Sequence, residues 1–183
     1  VRFPLKHCQK VVGFLLFYFL SVHLQSPEIA IYPDLYPDRS AVFTPYHLTP
    51  GGGERVVLSF LQKIQYVTGH HVDLVVDPGN VCTQVACIID LAERLDVVGI
   101  DWKYVSIVFL NEAQVSYALW WSMGNELLPS TRNRGKLGIY HCQFPFDGAS
   151  GDIKNLENLL SYDFVYLNSE YTNEWYWTFL RQH

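Results

Sequence analysis

Three consecutive glycines, Gly51, Gly52 and Gly53, stand between a short apolar run at residues 41–43 and a stretch of helical periodicity at residues 54–67. A strand that runs into glycines and then into a helix leaves few options. Residues without Cβ let the main chain come close to a neighbour, and the free N–H groups and positive dipole end of the helix favour an anion. Pro50 precedes the glycines, and Glu54 follows where a carboxylate suits the dipole. The same glycines also serve as plain punctuation between a strand and a helix.

The pattern repeats along the chain. Val57, Leu58, Leu61 and Ile64 mark the apolar face of the first helix, which Gly69 stops. A second strand is expected at residues 72–76, closed by the turn residues Asp77, Pro78, Gly79 and Asn80. A helix over 83–94 follows, although Ile88 and Ile89 lower its propensity. Further strands are expected within 101–110, at 117–122 with a loop at Met123, Gly124 and Asn125, at 137–142 and at 164–167. For 117–122 a helix is the rival reading. Helices are expected at 153–160 and from Thr172. Repeated strand–helix alternation predicts an α/β fold, a doubly wound parallel sheet covered on both faces, whose ligands gather at the C-terminal strand ends.

Residues 1–39 are read as an extension or linker and residues 40–183 as the folded domain. Arg2, Lys6 and Lys10 precede an apolar run at 11–20, the order of a signal peptide, but no small-x-small cleavage site follows. The run is shorter than the roughly 20 residues of a membrane-spanning helix. A signal, a short anchor or interfacial helix, a buried helix and the tail of an upstream domain all remain open. Pro27, Pro33 and Pro37 predict an extended linker. Val1 at the start and an uncapped helical pattern at the end suggest a fragment.

Composition excludes several classes of function. A net charge of -5 leaves no general basic surface for a polyphosphate backbone, so no nucleic acid partner is expected. Cys8, Cys82, Cys87 and Cys142 form no C-x-x-C pair, which reads as reduced thiols in a cytoplasmic protein and no zinc site. The dinucleotide fingerprint fails because glycine is needed at position 56, which is Val56, and no P-loop pattern occurs.

Three segments then carry a resemblance: F-T-P-Y-H-L-T-P-G-G-G-E-R at 43–55, I-Y-H-C-Q-F-P-F at 139–146 and L-N-S-E-Y-T at 167–172. In order and rough spacing, residues 40–183 resemble the N-terminal, acceptor-side domain of glycosyltransferase family 4. The resemblance implies half of a GT-B enzyme, two Rossmann-like domains facing across a cleft. The implied reaction is retaining transfer of a sugar from a nucleotide diphosphate sugar, the co-substrate, to an acceptor hydroxyl on a glycan or lipid-linked glycan. It needs no other cofactor and no bound metal. The partner implied is a C-terminal Rossmann-like domain carrying the donor-binding basic and acidic residues, which this chain lacks.

Carried over by position, Gly52 and Gly53, with Gly51 in support, would present backbone N–H groups to the donor phosphate. The family often places a histidine directly before the Phe-Pro pair, where this chain has Gln143, with His141 two residues earlier on the same strand face. Either one is the catalytic candidate. His47, Asn125, Ser169 and Glu170 are acceptor-side candidates. The competing reading is a non-catalytic Rossmann-like module that binds an anion or a partner, which Gln143 favours.

Other residues are expected to be structural. Adjacent His70 and His71 face opposite sides of a strand and would not share a metal. Asp147, Asp152 and Glu157 read as helix-start and surface charges. Tyr171, Trp175, Tyr176, Trp177 and Phe179 make the last helix apolar all round, which predicts cover from a second domain or peripheral contact with a membrane.

Overall fold

The computed structural model describes residues 39–113, 116–143 and 155–182. The expected apolar run at 11–20, the proline linker, Phe144 to Phe146, Asp147, Asp152 and the start of the helix predicted at 153 lie outside them. The strands are β1 (Arg39–Thr44), β2 (His71–Val76), β3 (Val105–Phe109), β4 (Tyr117–Gly124), β5 (Gly135–Cys142) and β6 (Phe164–Leu167). Helices α1 (Gly52–Thr68), α2 (Val85–Arg94), α3 (Leu156–Leu160) and α4 (Glu170–Gln182) alternate with them, and a short 3-10 turn, Trp102–Tyr104, leads into β3. The six strands form one sheet in the order β3-β2-β1-β4-β5-β6, all neighbours parallel. This is the Rossmann-like doubly wound arrangement expected from the alternation, and 117–122 is strand rather than helix.

Parallel strands are buried on both faces, so their sequences carry apolar residues in succession rather than in alternation. Val42, Leu74, Trp121 and Met123 join the core that receives Val57, Leu58, Leu61 and Ile64 of α1 and Ile88 and Leu91 of α2. Ala41, Phe43, Val75 and Trp120 join the opposite core. Neighbours Trp120 and Trp121 thus fill different cores, as the period of two demands. Helix α1 ends where Gly69, at φ 66°, donates its N–H to the Gln65 carbonyl at 2.8 Å, a left-handed cap that glycine adopts without Cβ strain.

The last helix packs one of its faces on the sheet. Tyr176 is buried, and Phe179 and Leu180 pack on the second core, so α4 has an inward face; Tyr171 and Trp175 are its exposed aromatic pair. The histidines at 70 and 71 are engaged by serines on neighbouring strands. His70 Nδ1 lies 3.1 Å from Ser40 Oγ, and His71 Nε2 lies 2.8 Å from Ser106 Oγ. Burial, and secondarily the Arg39 charge, lowers the His71 pKa from its ordinary value.

The cysteines bring a correction. Cys82 and Cys87 form a disulfide with Cα atoms 5.6 Å apart, while Cys142 is free and buried. The turn into α2 curls the chain at Gln84, whose carbonyl accepts the N–H groups of Cys87 and Ile88, and this brings residues five apart within bonding reach. A search for C-x-x-C spacing misses such a pair. The argument for a reducing, cytoplasmic setting loses its premise for these two thiols. Among the described residues, no helix is long and apolar enough to cross a membrane.

Under the second face, one buried charge joins three strands. Asp73 of β2 is 1% exposed, is ion-paired with Arg39 of β1, and accepts a hydrogen bond from the Tyr117 hydroxyl of β4 at 2.8 Å. Removing one partner of a buried pair costs about 3–5 kcal/mol, and Arg39, with 35% of its side chain exposed, has water to turn to. Asp73→Ala is therefore expected to lose about 3 kcal/mol in urea unfolding, and Tyr117→Phe about 1 kcal/mol.

Candidate functional site

Order β3-β2-β1-β4-β5-β6 places the topological switch between β1 and β4, since the chain leaves β1 toward β2 and leaves β4 toward β5. A crevice outside the C-terminal ends of such a strand pair is the usual ligand position. Helix α1 begins there. Gly51 is its N-cap in extended conformation with no side-chain capping bond, and the first helical bond runs from Arg55 N–H to the Gly51 carbonyl at 3.2 Å. The preceding N–H groups of the turn have no acceptor within the helix.

The three glycines differ in what surrounds them. A Cβ on Gly52 would meet nothing within 4 Å, so this position faces open space. A Cβ on Gly53 would lie 3.3 Å from Gln143 Oε1 and 3.7 Å from Met123 Cε, so the loop is tight against the ends of β5 and β4. At Gly51 a Cβ would lie 2.5 Å from Glu54 Oε2, which shows the Glu54 carboxylate turned back over the first helical turn. An anion at this turn meets the helix dipole and also that negative group.

Gln143, just past β5, is the sequence-derived residue that the fold brings to the glycines. Its N–H donates to the Gly124 carbonyl at 2.9 Å, and its own carbonyl accepts from Thr172 Oγ1 at 3.5 Å. His141 lies two residues deeper in β5. It is 3% exposed, and its ring is enclosed by Tyr166 at 4.7 Å, Trp121 at 5.5 Å and Phe60 at 5.8 Å between centroids. Neither ring nitrogen has a hydrogen-bond partner, and the same holds for Trp121 Nε1. Burial lowers the His141 pKa to about 4, so the imidazole is neutral at pH 7.

On the other side of the glycine loop, Tyr46 ties the approach from β1 to the end of β4. Its hydroxyl donates to Glu126 Oε2 at 2.8 Å and accepts the Asn125 N–H at 2.7 Å. The Asn125 side-chain oxygen is buried without a partner. Tyr140 donates its hydroxyl to the Glu126 carbonyl at 2.5 Å. Burial pushes both phenols above the ordinary tyrosine range, and the neighbouring Glu126 charge adds to this. Burial also pushes the free Cys142 thiol up to about 12, which leaves it an inert core group.

The remaining candidates are His47, Ser169 and Glu170. His47 is exposed, and its charge partly offsets the burial that raises the Asp77 pKa. Ser169 caps α4, its Oγ accepting the Thr172 N–H at 3.1 Å. Glu170 is exposed in the first turn of that helix. Sequence reasoning missed Tyr46, Glu126 and Thr172. Tyr46 and Glu126 stand next to His47 and Asn125, yet only tertiary contact joins them. Among the described residues, no group of three His, Cys, Asp or Glu side chains is placed to hold a metal.

The fold and this site together define a Rossmann-like α/β domain with a glycine-rich helix start at its switch point. Comparison of the chain with protein families, with curated proteins and with solved structures finds no match.

The buried neutral imidazole has a measurable consequence. Between about pH 4 and the ordinary histidine value of 6.5, the unfolded chain binds a proton at His141 that the folded chain does not. This contribution is fully present above pH 6.5 and is lost as pH falls toward 4, amounting to on the order of 3 kcal/mol. Urea unfolding of His141→Phe at pH 5 and pH 7 is expected to show a smaller loss of stability on acidification than the unsubstituted chain.

Proposed function

We propose that this chain is the acceptor-side half of a retaining GT-B glycosyltransferase, moving a sugar from a nucleotide diphosphate sugar to an acceptor hydroxyl on a glycan or lipid-linked glycan. The observation that carries the reading is the juxtaposition at the switch point: an open glycine turn at the start of α1 with the Gln143 carboxamide against Gly53. Backbone N–H groups of this turn would hold the departing diphosphate, where negative charge develops as the sugar–oxygen bond breaks. The Gln143 amide is suited to hydrogen-bond the sugar, and neutral His141 beneath it supports that strand end. The acceptor hydroxyl would enter beside Asn125, with Tyr46 and Glu126 bracing that wall. Basic and acidic donor-binding groups would come from the second Rossmann-like domain, so this chain alone is expected to show little or no transfer.

One observation favours the second reading, a Rossmann-like module without catalysis. Gln143 stands where the family's histidine is expected, and His141 is closed off by aromatic rings.

Titration with a nucleoside diphosphate, followed by calorimetry and by amide shifts of Gly52 and Gly53, separates the two. Under the transferase reading, binding is weak and Gly52→Val, which fills the open space, lowers affinity at least about tenfold, a loss of about 1.4 kcal/mol. Unchanged binding in Gly52→Val, or amide shifts that spare the glycine turn, would sink it. Gly53→Val drives a side chain toward Gln143 and Met123 and is expected to have the same effect together with some loss of stability.

A further inference from the structure

The disulfide and the turn before it lie outside the proposed chemistry, yet they are bonded to the segment that leads into the glycine loop. Asn80, the last residue of the Asp77-Pro78-Gly79-Asn80 turn, is buried, and its side chain works in two directions. Its Oδ1 accepts the N–H of Cys82 at 3.1 Å and the N–H of Leu48 at 3.3 Å, while its Nδ2 donates to the Tyr46 carbonyl at 2.9 Å. Leu48 and Cys82 are buried in the same core with Ile88 of α2. The bridge joins Cys82, on the Asn80 side, to Cys87, in the first turn of α2. It therefore anchors the Asn80 clamp to a helix, and through that clamp it holds residues 46–48, which run directly into Pro50 and Gly51.

The two sulfurs are unequal. Cys82 is buried, and Cys87 is exposed on the helix surface. An incoming thiolate meets Cys87 first, and the bridge closes a small loop.

We propose that Cys82–Cys87 is a thiol–disulfide exchange site that sets the order of the loop at 46–50, and with it the geometry of the glycine turn. A thiolate of a dithiol reductant attacks Cys87 Sγ, forming a mixed disulfide, and the S–S bond breaks with its electron pair leaving on Cys82 Sγ, which takes up a proton. The second thiol of the reductant then displaces Cys87 as a thiol and closes the reductant's own disulfide. The protein gains two hydrogens and two electrons, and the dithiol loses them. With the bridge open, Asn80 no longer has a fixed base, and its bonds to Leu48 and Tyr46 are made only part of the time. The inference does not depend on what the glycine turn binds.

Amide hydrogen exchange on the oxidised chain and on the chain treated with dithiothreitol tests it, with intact mass and thiol titration reporting the state of the bridge. Exchange at the Leu48 amide, which donates to Asn80, is expected to speed up about tenfold or more on reduction, while core amides of β1 and β4 hold their protection. Cys87→Ser, at an exposed position, is expected to match the reduced chain and to ignore dithiothreitol. In Asn80→Ala, Leu48 exchange is expected to be fast in both states. Unchanged Leu48 protection in a chain shown to carry two new thiols would overturn the proposal. So would an air-oxidised chain whose mass shows no bridge, or a loss of protection spread evenly over the sheet. Nucleoside diphosphate affinity, measured in both states, reports separately on the transferase reading.

Discussion

Parallel pairing of β1 on both of its edges is the constraint from which the rest of the molecule follows. With β2 on one side and β4 on the other, β1 has no free edge, and its two side-chain faces must both be covered. Val42 pairs in register with Leu74 and Trp121 on one core, while Phe43 pairs with Val75 and Ser122. Helix α1, together with α2, covers the first face, and because it follows β1 directly its start lies at the C-terminal end of β1. The glycine turn stands over the strand ends because the core needs α1 packed along the sheet. A buried Asp73, satisfied from β1 and β4, secures the same three strands from the opposite side.

Several side chains at those strand ends are held neutral beside the Glu126 carboxylate. Desolvation keeps His141 unprotonated and holds Tyr46, Tyr140 and Cys142 in their protonated forms. The dipole end of α1 is the attractive feature for an anion there. Glu54, turned back over Gly51, opposes it.

Much of the fold was legible because its signals are local. Helical spacing at Val57, Leu58, Leu61 and Ile64 marked α1, and all four are buried. Apolar residues, interrupted in β2 only by Asp73, marked β2 and β6 to within a residue. Boundaries were less legible where capping decides them. Helix α4 begins at Glu170 rather than Thr172 because Ser169 caps it, and α2 begins at Val85 after Gln84 gathers the turn. Reduced thiols were the wrong expectation for Cys82 and Cys87, since whether residues five apart can bond depends on the curl of the backbone between them.

By itself the sequence determined the alternation of strands and helices, the glycine turn and the position of the polar residues that end each strand. These depend on spacing and on residue type at neighbouring positions, which a linear chain displays. Only the tertiary structure decided that Gln143 meets Gly53, that Tyr46 reaches Asn125 and Glu126, and that His141 is sealed beneath aromatic rings. The reason is physical. Each of those contacts joins residues tens of positions apart, and they are brought together by the register of parallel strands and the packing of helices on the sheet, which no local preference encodes.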